Sequence, residues 1–276
     1  MAHYLEISTV SVCKVGCKYC PQSLLYNRYG KKEYMSFDNF KIVLSKLPKY
    51  VTIDFAGFVE PFLNPEASNM MLYAYQQGYT VRLYSTLADC RETDIEKIKD
   101  IKFESVVLHL PDIYGYMNIK VDEKYKNIAR IFKNTIKINE AHTYGPINED
   151  LREVFPEHIE KLLGPEHLHD RGGNVKTDLF QLETKTPLKG PVVCGVVWRE
   201  NSDKLSHNVL LPNGSVQSCC CDYGLENTFG NLLTDEYEDL FKSESYNKMK
   251  KAMASYDDPI LCRTCKEVYP DQPFRN

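Results

Sequence analysis

Strand-like and helix-like stretches alternate along the first 170 residues, and this alternation limits the fold more than any other feature of the chain. Alternating strands and helices form parallel sheets with right-handed crossovers. The strand-like stretches lie at residues 4–10, 50–55, 80–85, 105–110, 135–139 and 166–170. The pattern therefore predicts six βα units.

Apolar residues at helical spacing predict the intervening helices. Ser36 is typical of a helix N-terminus and precedes an apolar face that begins at Phe37. Another clear stripe contains Tyr125, Ile128, Ala129 and Phe132. Weaker stripes are centred on residues 70–75, 95–98 and 151–162, and Pro156 is expected to kink or split the last of these.

A complete eight-unit barrel needs about 250 residues, but the alternation ends near Gly172. The predicted fold class is therefore α/β, with a partial (β/α)6 TIM-like barrel over residues 1–175. Residues 172–193 are rich in Gly, Thr, Lys and Pro and are typical of a linker. Residues 176–276 are predicted to form this linker and a small cysteine-rich domain, with a hairpin around Asn213-Gly214 and a helix over 236–254.

Charge and cysteine content narrow the class of protein. The net charge of -4 argues against a nucleic-acid binder, which usually has a basic face. The sequence has no run of about 18 apolar residues, so we expect no membrane span. The N-terminus does not resemble a secretory signal. We therefore expect a cytoplasmic location, where ten cysteines indicate metal binding or catalysis rather than disulfides.

Cys13, Cys17 and Cys20 form a C-x3-C-x2-C motif directly after the first predicted strand. Loops that follow parallel strands gather on one rim, where active sites form. Three thiolates can hold three irons of a 4Fe-4S cluster and leave the fourth iron open to another ligand, and Gly16 allows a tight turn. The alternative is a zinc site, although zinc usually takes four ligands.

A second group, Cys194, Cys219, Cys262 and Cys265, can make a closed site of four thiolates. Such a site suits either a structural zinc ion or a fully ligated 4Fe-4S cluster, and the chemistry of the ligands leaves both open. Three cysteines remain, and packing is the simplest role for Cys90, Cys220 and Cys221. An alternative for the last two is a thiol that donates hydrogen to a substrate radical.

The first motif, placed after strand one of a partial barrel, resembles the radical S-adenosylmethionine (SAM) superfamily. The resemblance implies that SAM chelates the open iron and is cleaved to a 5′-deoxyadenosyl radical. Tyr19 matches the aromatic residue beside the adenine, and Gly57 and Glu60 match an element that holds the methionine amino group. In that element Val59 replaces the usual Gly. Ser85 matches a position that contacts the ribose, although Leu87-Ala88 replaces the usual Asn-Gly.

The C-terminal region resembles the SPASM/twitch extension of the same superfamily. In that pattern the ligand lies three residues before an Asp, which selects Cys219 because Asp222 follows it. The shorter twitch form carries one auxiliary 4Fe-4S cluster. The resemblance therefore implies two clusters, one that binds SAM and one auxiliary.

Within the superfamily the chain most resembles the compact deoxy-scyllo-inosamine dehydrogenase type. There, a Glu seven residues before the first cysteine and an Arg after the barrel contact the substrate, and Glu6 and Arg171 match them. The resemblance implies a small polar substrate, such as a sugar or cyclitol, whose alcohol is oxidised to a ketone with the auxiliary cluster as electron acceptor. It also implies a reducing partner such as flavodoxin or ferredoxin.

Three other functions are alternatives to an alcohol dehydrogenase. A peptide maturase commonly carries an N-terminal recognition domain, for which the twelve residues before Cys13 are too few, although a separate protein can supply recognition. An epimerase needs a thiol such as Cys220 or Cys221 as hydrogen donor. A zinc-stabilised interaction domain without enzymatic activity is the alternative of a different class.

Overall fold

The computed structural model of the chain describes residues 3–155, 160–162, 170–175, 185–195 and 207–271. Its strands are β1 (His3–Ile7), β2 (Val51–Phe55), β3 (Val81–Ser85), β4 (Ser105–His109), β5 (Glu140–Thr143), β6 (Glu160–Leu162), β7 (Val192–Cys194), β8 (His207–Leu210), β9 (Ser215–Gln217), β10 (Thr228–Asn231) and β11 (Val268–Pro270). The α-helices are α1 (Gln22–Tyr29), α2 (Phe37–Lys46), α3 (Ala67–Gln76), α4 (Glu92–Ile98), α5 (Glu123–Thr135), α6 (Tyr237–Leu240) and α7 (Glu244–Ala254). Short 3-10 helices cover Pro61–Leu63, Glu149–Leu151 and Leu261–Arg263.

Nine of the described strands form one sheet in the order β10-β9-β8-β1-β2-β3-β4-β5-β6. β1 to β6 are parallel neighbours in chain order, which confirms the predicted α/β class and its six parallel strands. β8 pairs in parallel with the other side of β1, and β9 and β10 follow it in antiparallel pairs. The strands after residue 206 thus extend the same sheet. β7 and β11 form a separate antiparallel pair.

The two faces of β1 have different environments because successive side chains of a strand point to opposite faces. Leu5 and Ile7 are buried in the main apolar core together with Phe40 of α2. Glu6 therefore lies on the opposite face of the strand, away from this helix layer. The parallel register places Glu6 level with Asp54 of β2, and Asp54 level with Arg82 of β3.

Side-chain caps begin three of the helices where polar residues precede apolar stripes. Ser36 accepts a hydrogen bond from the Asn39 N–H at 3.1 Å, which confirms the predicted start of α2. Asp122 caps α5 in the same way. The buried side of α5 contains the predicted residues Tyr125, Ile128, Ala129 and Phe132. Such caps supply partners to N–H groups that a helix leaves unpaired.

The prediction of a fifth strand over residues 135–139 is wrong. α5 continues through Thr135 and is closed by the Ile136 N–H, which donates to the Phe132 carbonyl. The strand begins at Glu140 instead. β-branched residues favour strands only weakly, and the packing of Phe132 in the core outweighs that preference here.

The predicted helix over residues 151–162 is also wrong where the structure describes it. The chain forms one 3-10 turn at Glu149–Leu151, and Leu162 belongs to β6. A proline disfavours the helical conformation of the residue before it, so Pro156 argues against a helix that continues through Phe155. β6, which pairs with β5, covers Glu160–Leu162, whereas the sequence predicts a strand over 166–170. Asp170 is outside any strand, and residues 166–169 lie outside the described residues.

Three further differences concern helices and the linker. α1 was missed because Leu25 is its one buried residue, so it has no apolar stripe. The helix expected over 236–254 is two helices, separated where Ser243 caps α7 through the Tyr246 N–H. The predicted linker ends in β7, which begins at Val192. The hairpin around Asn213-Gly214 is confirmed by the antiparallel pairing of β8 and β9.

Arg263 holds the C-terminal part of the fold together. It is 4% exposed and donates to the carbonyl oxygens of Leu188 and Gly190 at 2.7 and 2.9 Å. It also donates to the carbonyls of Ala252 and Ser255, at the end of α7, and to that of Asp258. One guanidinium thus joins the segment before β7 and the end of α7 to the turn that carries Cys262 and Cys265.

We expect Arg263→Lys to lower the free energy of unfolding by about 3 kcal/mol, because a single ammonium leaves several buried carbonyls without a donor. Thermal unfolding under anaerobic conditions measures the change. Arg130→Lys is the matched control, since Arg130 is half-exposed and forms an ion pair with Glu153, so its effect should stay within about 0.5 kcal/mol. Equal losses for the two variants would contradict the proposed role.

Candidate functional site

The three cysteines of the first motif lie in the loop between β1 and α1. Gly16 has a φ of +68°, a left-handed conformation that glycine adopts without a Cβ clash. The Cys20 N–H donates to the Cys17 carbonyl at 3.1 Å, and the Cys13 N–H donates to Gln22 Oε1 at 3.2 Å. The loop therefore turns back on itself, and Cys13, near its start, is bonded to the first turn of α1.

The thiols of this loop are crowded and partly buried. Burial raises the pKa of Cys13 to about 11, and the Cys20 charge adds to the rise. Burial likewise raises the pKa of Cys17 to about 12, with contributions from Cys20 and Cys13. Thiolates repel one another at such a site, and a polynuclear iron centre relieves that repulsion. The donor set thus fits an iron-sulfur cluster.

Tyr19 belongs to this loop and stands directly before Cys20. Its ring packs on Tyr144 with centroids 4.5 Å apart, and its hydroxyl hydrogen-bonds with the Cys17 thiol. Val175, from the segment after the sixth strand, packs against both rings. Tyr19 therefore contacts both the cysteine loop and residues that follow the barrel strands.

Gly57 and Glu60, in the loop after β2, lie next to the cysteine loop. Gly57 has a φ of +75°, and a Cβ there would clash with Ser8 Oγ just after β1. The Glu60 backbone N–H donates to the Cys13 thiol. Val59, at the position where the resemblance led us to expect Gly, is 8% exposed and packs in an apolar cluster with Val10 and Leu25. The close approach of the two loops thus depends on Gly57.

The Glu60 carboxylate joins the ends of β2 and β3. Its Oε1 accepts from Ser85 Oγ at 2.8 Å and from the Phe62 N–H at 3.1 Å. Its Oε2 accepts from the Thr86 N–H at 2.5 Å and from Thr86 Oγ1 at 2.7 Å. Burial nevertheless raises the pKa of Glu60, and these donors counteract the rise. The structure thus brings together Gly57, Glu60 and Ser85, as the sequence predicted.

Leu87 and Asp89 follow Ser85 in left-handed conformations, both with a φ of +60°. This is the conformation that Asn and Gly adopt most easily, so Leu87 and Asp89 are held in it by their surroundings. Asp89 also forms an exposed ion pair with Lys14 of the cysteine loop, at 2.5 Å.

Glu6 and His207 form a buried ion pair on the inner side of the sheet. Their Oε1 and Nε2 atoms are 2.5 Å apart, and Glu6 is 7% exposed. Burial is the largest single influence on Glu6 and opposes its ionisation, but the charge and hydrogen bond of His207, together with Arg171 and the Gly57 N–H, lower the pKa of the carboxyl below its usual value. Burial opposes protonation of His207 as well, yet Glu6 raises the pKa of the imidazole to about 9. Both groups are therefore charged near neutral pH.

Arg171 lies in the same place, close enough to interact with Glu6, Tyr223, Cys220 and Cys20. It has a φ of +50°, which costs a residue with a Cβ about 1 kcal/mol and marks a position held by its surroundings. The adjacent Asp170 side chain accepts from the Gly172 N–H at 3.1 Å and from the Lys266 N–H. The structure therefore brings the two predicted substrate residues together between the two groups of cysteines.

Sequence reasoning missed His207 and Asp54. His207 reaches Glu6 because β8 pairs with β1, a contact between residues about 200 positions apart that no local pattern reveals. Asp54 is 1% exposed, and its Oδ1 has no hydrogen-bond partner among the described residues. Burial raises the pKa of Asp54 to about 7, although Arg82 lies 3.5 Å from its other oxygen and lowers it. An acidic residue inside a strand was the available signal for Asp54.

The four cysteines of the second group also come together. Cys194 ends β7 opposite Val268 of β11, and Cys262 lies in the last 3-10 helix. Burial raises the pKa of Cys262, and Cys219, Cys194 and Cys265 add to the rise because they are close to it. As in the first group, crowded thiols favour a metal centre that neutralises them. Among the described residues, no three His, Cys, Asp or Glu side chains converge tightly enough to hold a single metal ion.

The remaining cysteines have distinct surroundings. Cys221 hydrogen-bonds with Cys219 and Cys265, so it touches the second group, which sequence reasoning did not anticipate. Cys220 is close to Glu6, Arg171 and His207 instead. Cys90 is 3% exposed, packs in the main core and lies 3.9 Å from the Arg91 carbonyl, as expected of a structural residue.

Comparison with solved structures identifies the fold. BtrN, in a complex with AdoMet and 2-DOIA, aligns with a TM-score of 0.61 at 14% identity over 96% of this chain and 93% of its own. Streptococcus suis SuiB, bound to the precursor peptide SuiA, gives a TM-score of 0.63 at 13% identity over 96% of this chain and 70% of its own. AdoMet-bound anSMEcpe gives 0.60 at 15% identity over 96% and 84%. These proteins are radical SAM enzymes with SPASM or twitch domains.

The chain therefore has the fold of the radical SAM enzymes that carry SPASM or twitch domains, as the sequence predicted. Residues 203–266 match the family model of the SPASM iron-sulfur cluster-binding domain, which covers three of the four cysteines of the second group. This match confirms the predicted iron-sulfur domain at the C-terminus. A search of curated proteins found no match. No described helix is long and apolar enough to span a membrane.

The buried ion pair predicts a pH-dependent effect of Glu6→Gln on stability. The folded-state pKa of His207, about 9, lies above the usual 6.5, so its contribution is complete below pH 6.5 and is lost as the pH rises through 9. The deficit of the variant in unfolding free energy should therefore be largest near pH 6 and shrink by roughly 2 kcal/mol towards pH 10.

Anaerobic thermal unfolding across this pH range measures the deficit. Glu149→Gln removes a carboxylate from an exposed pair with Arg152 and serves as the matched control. Its deficit should be small and similar at each pH, because an exposed ion pair contributes little to stability. A deficit of Glu6→Gln that stays constant between pH 6 and 10 would count against the pair.

Proposed function

We propose that this protein is a radical SAM enzyme that oxidises an alcohol of a small polar substrate, such as a sugar or cyclitol, to a ketone. The observation that carries the proposal is that Arg171 lies close enough to interact electrostatically with Glu6, with Cys20 of the first group and with Cys220 and Cys221 beside the second. An acid and a guanidinium there suit hydroxyl groups, because both make charge-assisted hydrogen bonds. A substrate bound by them would lie between the two metal centres.

Cys13, Cys17 and Cys20 would hold a 4Fe-4S cluster with an open iron for SAM, and Cys194, Cys219, Cys262 and Cys265 would hold the auxiliary 4Fe-4S cluster. When bound, these groups supply the radical chemistry, in which the carbinol carbon gives a hydrogen atom to the 5′-deoxyadenosyl group and one electron to the auxiliary cluster. Reduction of the first cluster needs an electron donor such as flavodoxin or ferredoxin.

The loops after β2 and β3 would line the SAM site. Glu60 is held rigidly by Ser85 and Thr86, so the two loops keep a fixed spacing next to the cysteines. Gly57 leaves the room that a close backbone approach needs. Tyr19, which contacts Cys17, would provide an aromatic surface for the adenine. These roles agree with the AdoMet bound in BtrN and in anSMEcpe, which share the fold.

Glu6 would take the proton that the substrate hydroxyl loses. Its pKa is lowered by His207, so the carboxylate is ionised and able to accept a hydrogen bond from the hydroxyl. Arg171 would hold a neighbouring oxygen and keep the reacting carbon in place. His207 would position Glu6 and balance its charge in a site largely closed to water. With the hydrogen atom and the electron accounted for above, this proton completes the oxidation.

Peptide modification is the second candidate, because the fold also matches SuiB, whose structure contains a precursor peptide. Anaerobic incubation with SAM, dithionite and candidate sugars, cyclitols and peptides separates the two. Transfer of deuterium from a labelled substrate into 5′-deoxyadenosine identifies the substrate and the carbon attacked. Transfer from a peptide rather than from a polyol would overturn the proposed substrate class.

Cys17→Ala tests the first metal centre. We expect iron to fall from about eight to about four atoms per chain, and cleavage of SAM to fall to the level without protein, because the cluster that binds SAM loses a ligand. Iron analysis and chromatography of 5′-deoxyadenosine measure the two effects. Cys90→Ala is the control, since Cys90 belongs to neither group and should leave both values unchanged. Full SAM cleavage by Cys17→Ala would refute the proposal.

Cys220→Ala separates oxidation from epimerisation. An epimerase returns a hydrogen atom from a thiol, and Cys220 is the cysteine near Glu6 and Arg171, while Cys221 touches the second group. A dehydrogenase should keep most of its turnover in this variant and still form a ketone. Loss of turnover, together with uptake of solvent hydrogen at the attacked carbon in the wild type, would favour an epimerase instead.

A further inference from the structure

Tyr223 connects the two groups of cysteines. It follows Cys219 by four residues, and its hydroxyl lies 3.7 Å from Cys20 Sγ, a contact between residues 203 positions apart in the chain. Arg171 lies close to the same hydroxyl. The C-terminal domain thus places a polar group on a cysteine of the first motif.

The tyrosine side of this contact is shielded from water. Tyr223 is 3% exposed, and its ring packs on Phe58 with centroids 4.5 Å apart. Both belong to an apolar cluster with Val10 and Leu25, and Cys20 packs against that cluster. A hydrogen bond in such an environment has a larger electrostatic effect than one in water.

The loop that carries Tyr223 is held in place by its own hydrogen bonds. The Tyr223 N–H donates to the Cys221 carbonyl at 2.9 Å, and the Asp222 N–H donates to the Cys219 carbonyl at 3.2 Å. The Asp222 carboxylate, fully buried, accepts from the N–H groups of Glu226 and Asn227 at 2.9 and 2.8 Å. The position of the hydroxyl is therefore coupled to the loop of Cys219.

We propose that Tyr223 raises the reduction potential of the cluster at Cys13, Cys17 and Cys20 by donating a hydrogen bond to Cys20 Sγ. The inference rests on the proposed function, because it requires a cluster at these cysteines. A sulfur that ligates iron carries no proton, so the hydroxyl is the donor. One-electron reduction by an external reductant adds negative charge to the cluster and its sulfurs, and a donor stabilises that reduced form more than the oxidised one.

Gln22 is a second donor to the same sulfur, with its Nε2 3.6 Å from Cys20 Sγ. It belongs to α1, next to the cysteine loop, and it also accepts from the Cys13 N–H. Tyr223 differs because it comes from the C-terminal domain. The reduction potential of the first cluster would therefore be highest when the loop of Cys219 is folded against it.

The test is an anaerobic redox titration of the reconstituted wild type and of Tyr223→Phe, followed by electron paramagnetic resonance without SAM. At a fixed potential, we expect the ratio of reduced to oxidised first cluster to fall about three- to tenfold in the variant, where tenfold is 59 mV for a one-electron couple. The auxiliary cluster should keep its potential and its iron, which shows in the same sample that the loop is folded.

Tyr79→Phe is the matched control. Tyr79 is 4% exposed and donates to the carbonyls of Leu44 and Leu47, both 2.7 Å away, so this variant also loses a buried hydroxyl bond but none at a cysteine. It should leave both potentials unchanged. An unchanged ratio in Tyr223→Phe, or an equal shift in Tyr79→Phe, would overturn the inference.

The iron content separates this failure from a failure of the proposed function. If the wild type holds both clusters and the ratio does not respond to Tyr223→Phe, the role of Tyr223 is refuted and the enzyme class stands. If the wild type binds no cluster at Cys13, Cys17 and Cys20, both the role and the proposed function are refuted.

Discussion

Because β8 lies parallel to β1 on the side opposite β2, the C-terminal part of the chain becomes part of the main sheet. β1 is therefore an inner strand, and the loop that follows it carries the first three cysteines. The pairing sets His207 beside Glu6 and brings the segment with Cys219 and Tyr223 back towards Cys20. This pairing therefore helps to fix the position of the second group of cysteines relative to the first.

The inner face of the sheet carries more charge than a typical core. Glu6, Asp54 and Arg82 lie level on three neighbouring strands, and His207 joins them from β8. Buried charges are costly unless they are paired, and here each ionised group has an opposite charge close by. Such an arrangement gains little stability, but it holds polar groups in fixed positions, and charged groups with perturbed pKa values are common at functional sites.

Crowded sulfur atoms impose the other constraint. In both groups, burial and neighbouring thiols raise the pKa of cysteines that must be deprotonated to bind metal. A cluster at each place would compensate for that cost and would link metal binding to folding. The segments that carry the second group are joined by Arg263 and by the pairing of β7 with β11, so the ligands are brought together by long-range contacts.

The amino-acid sequence by itself predicted β1 to β4 and the helices that alternate with them, the start of α2 and the cysteines of both groups. These features depend on local periodicity, on capping residues such as Ser36 and on ligand spacing, all of which are properties of neighbouring residues. Local signals were weak or conflicting at residues 135–139 and 151–162, where packing decided the outcome and the predictions were wrong.

The tertiary structure alone decided which distant residues meet. The ion pair of Glu6 with His207, the place of Arg171 beside it, and the contacts of Cys221 and Tyr223 all join residues far apart in the chain. Such contacts arise from strand pairing and from the return of loops over long separations, and the cost of closing those loops is repaid by the whole fold rather than by a local pattern. For this reason the residues of the candidate site could be predicted from the sequence, while their arrangement could not.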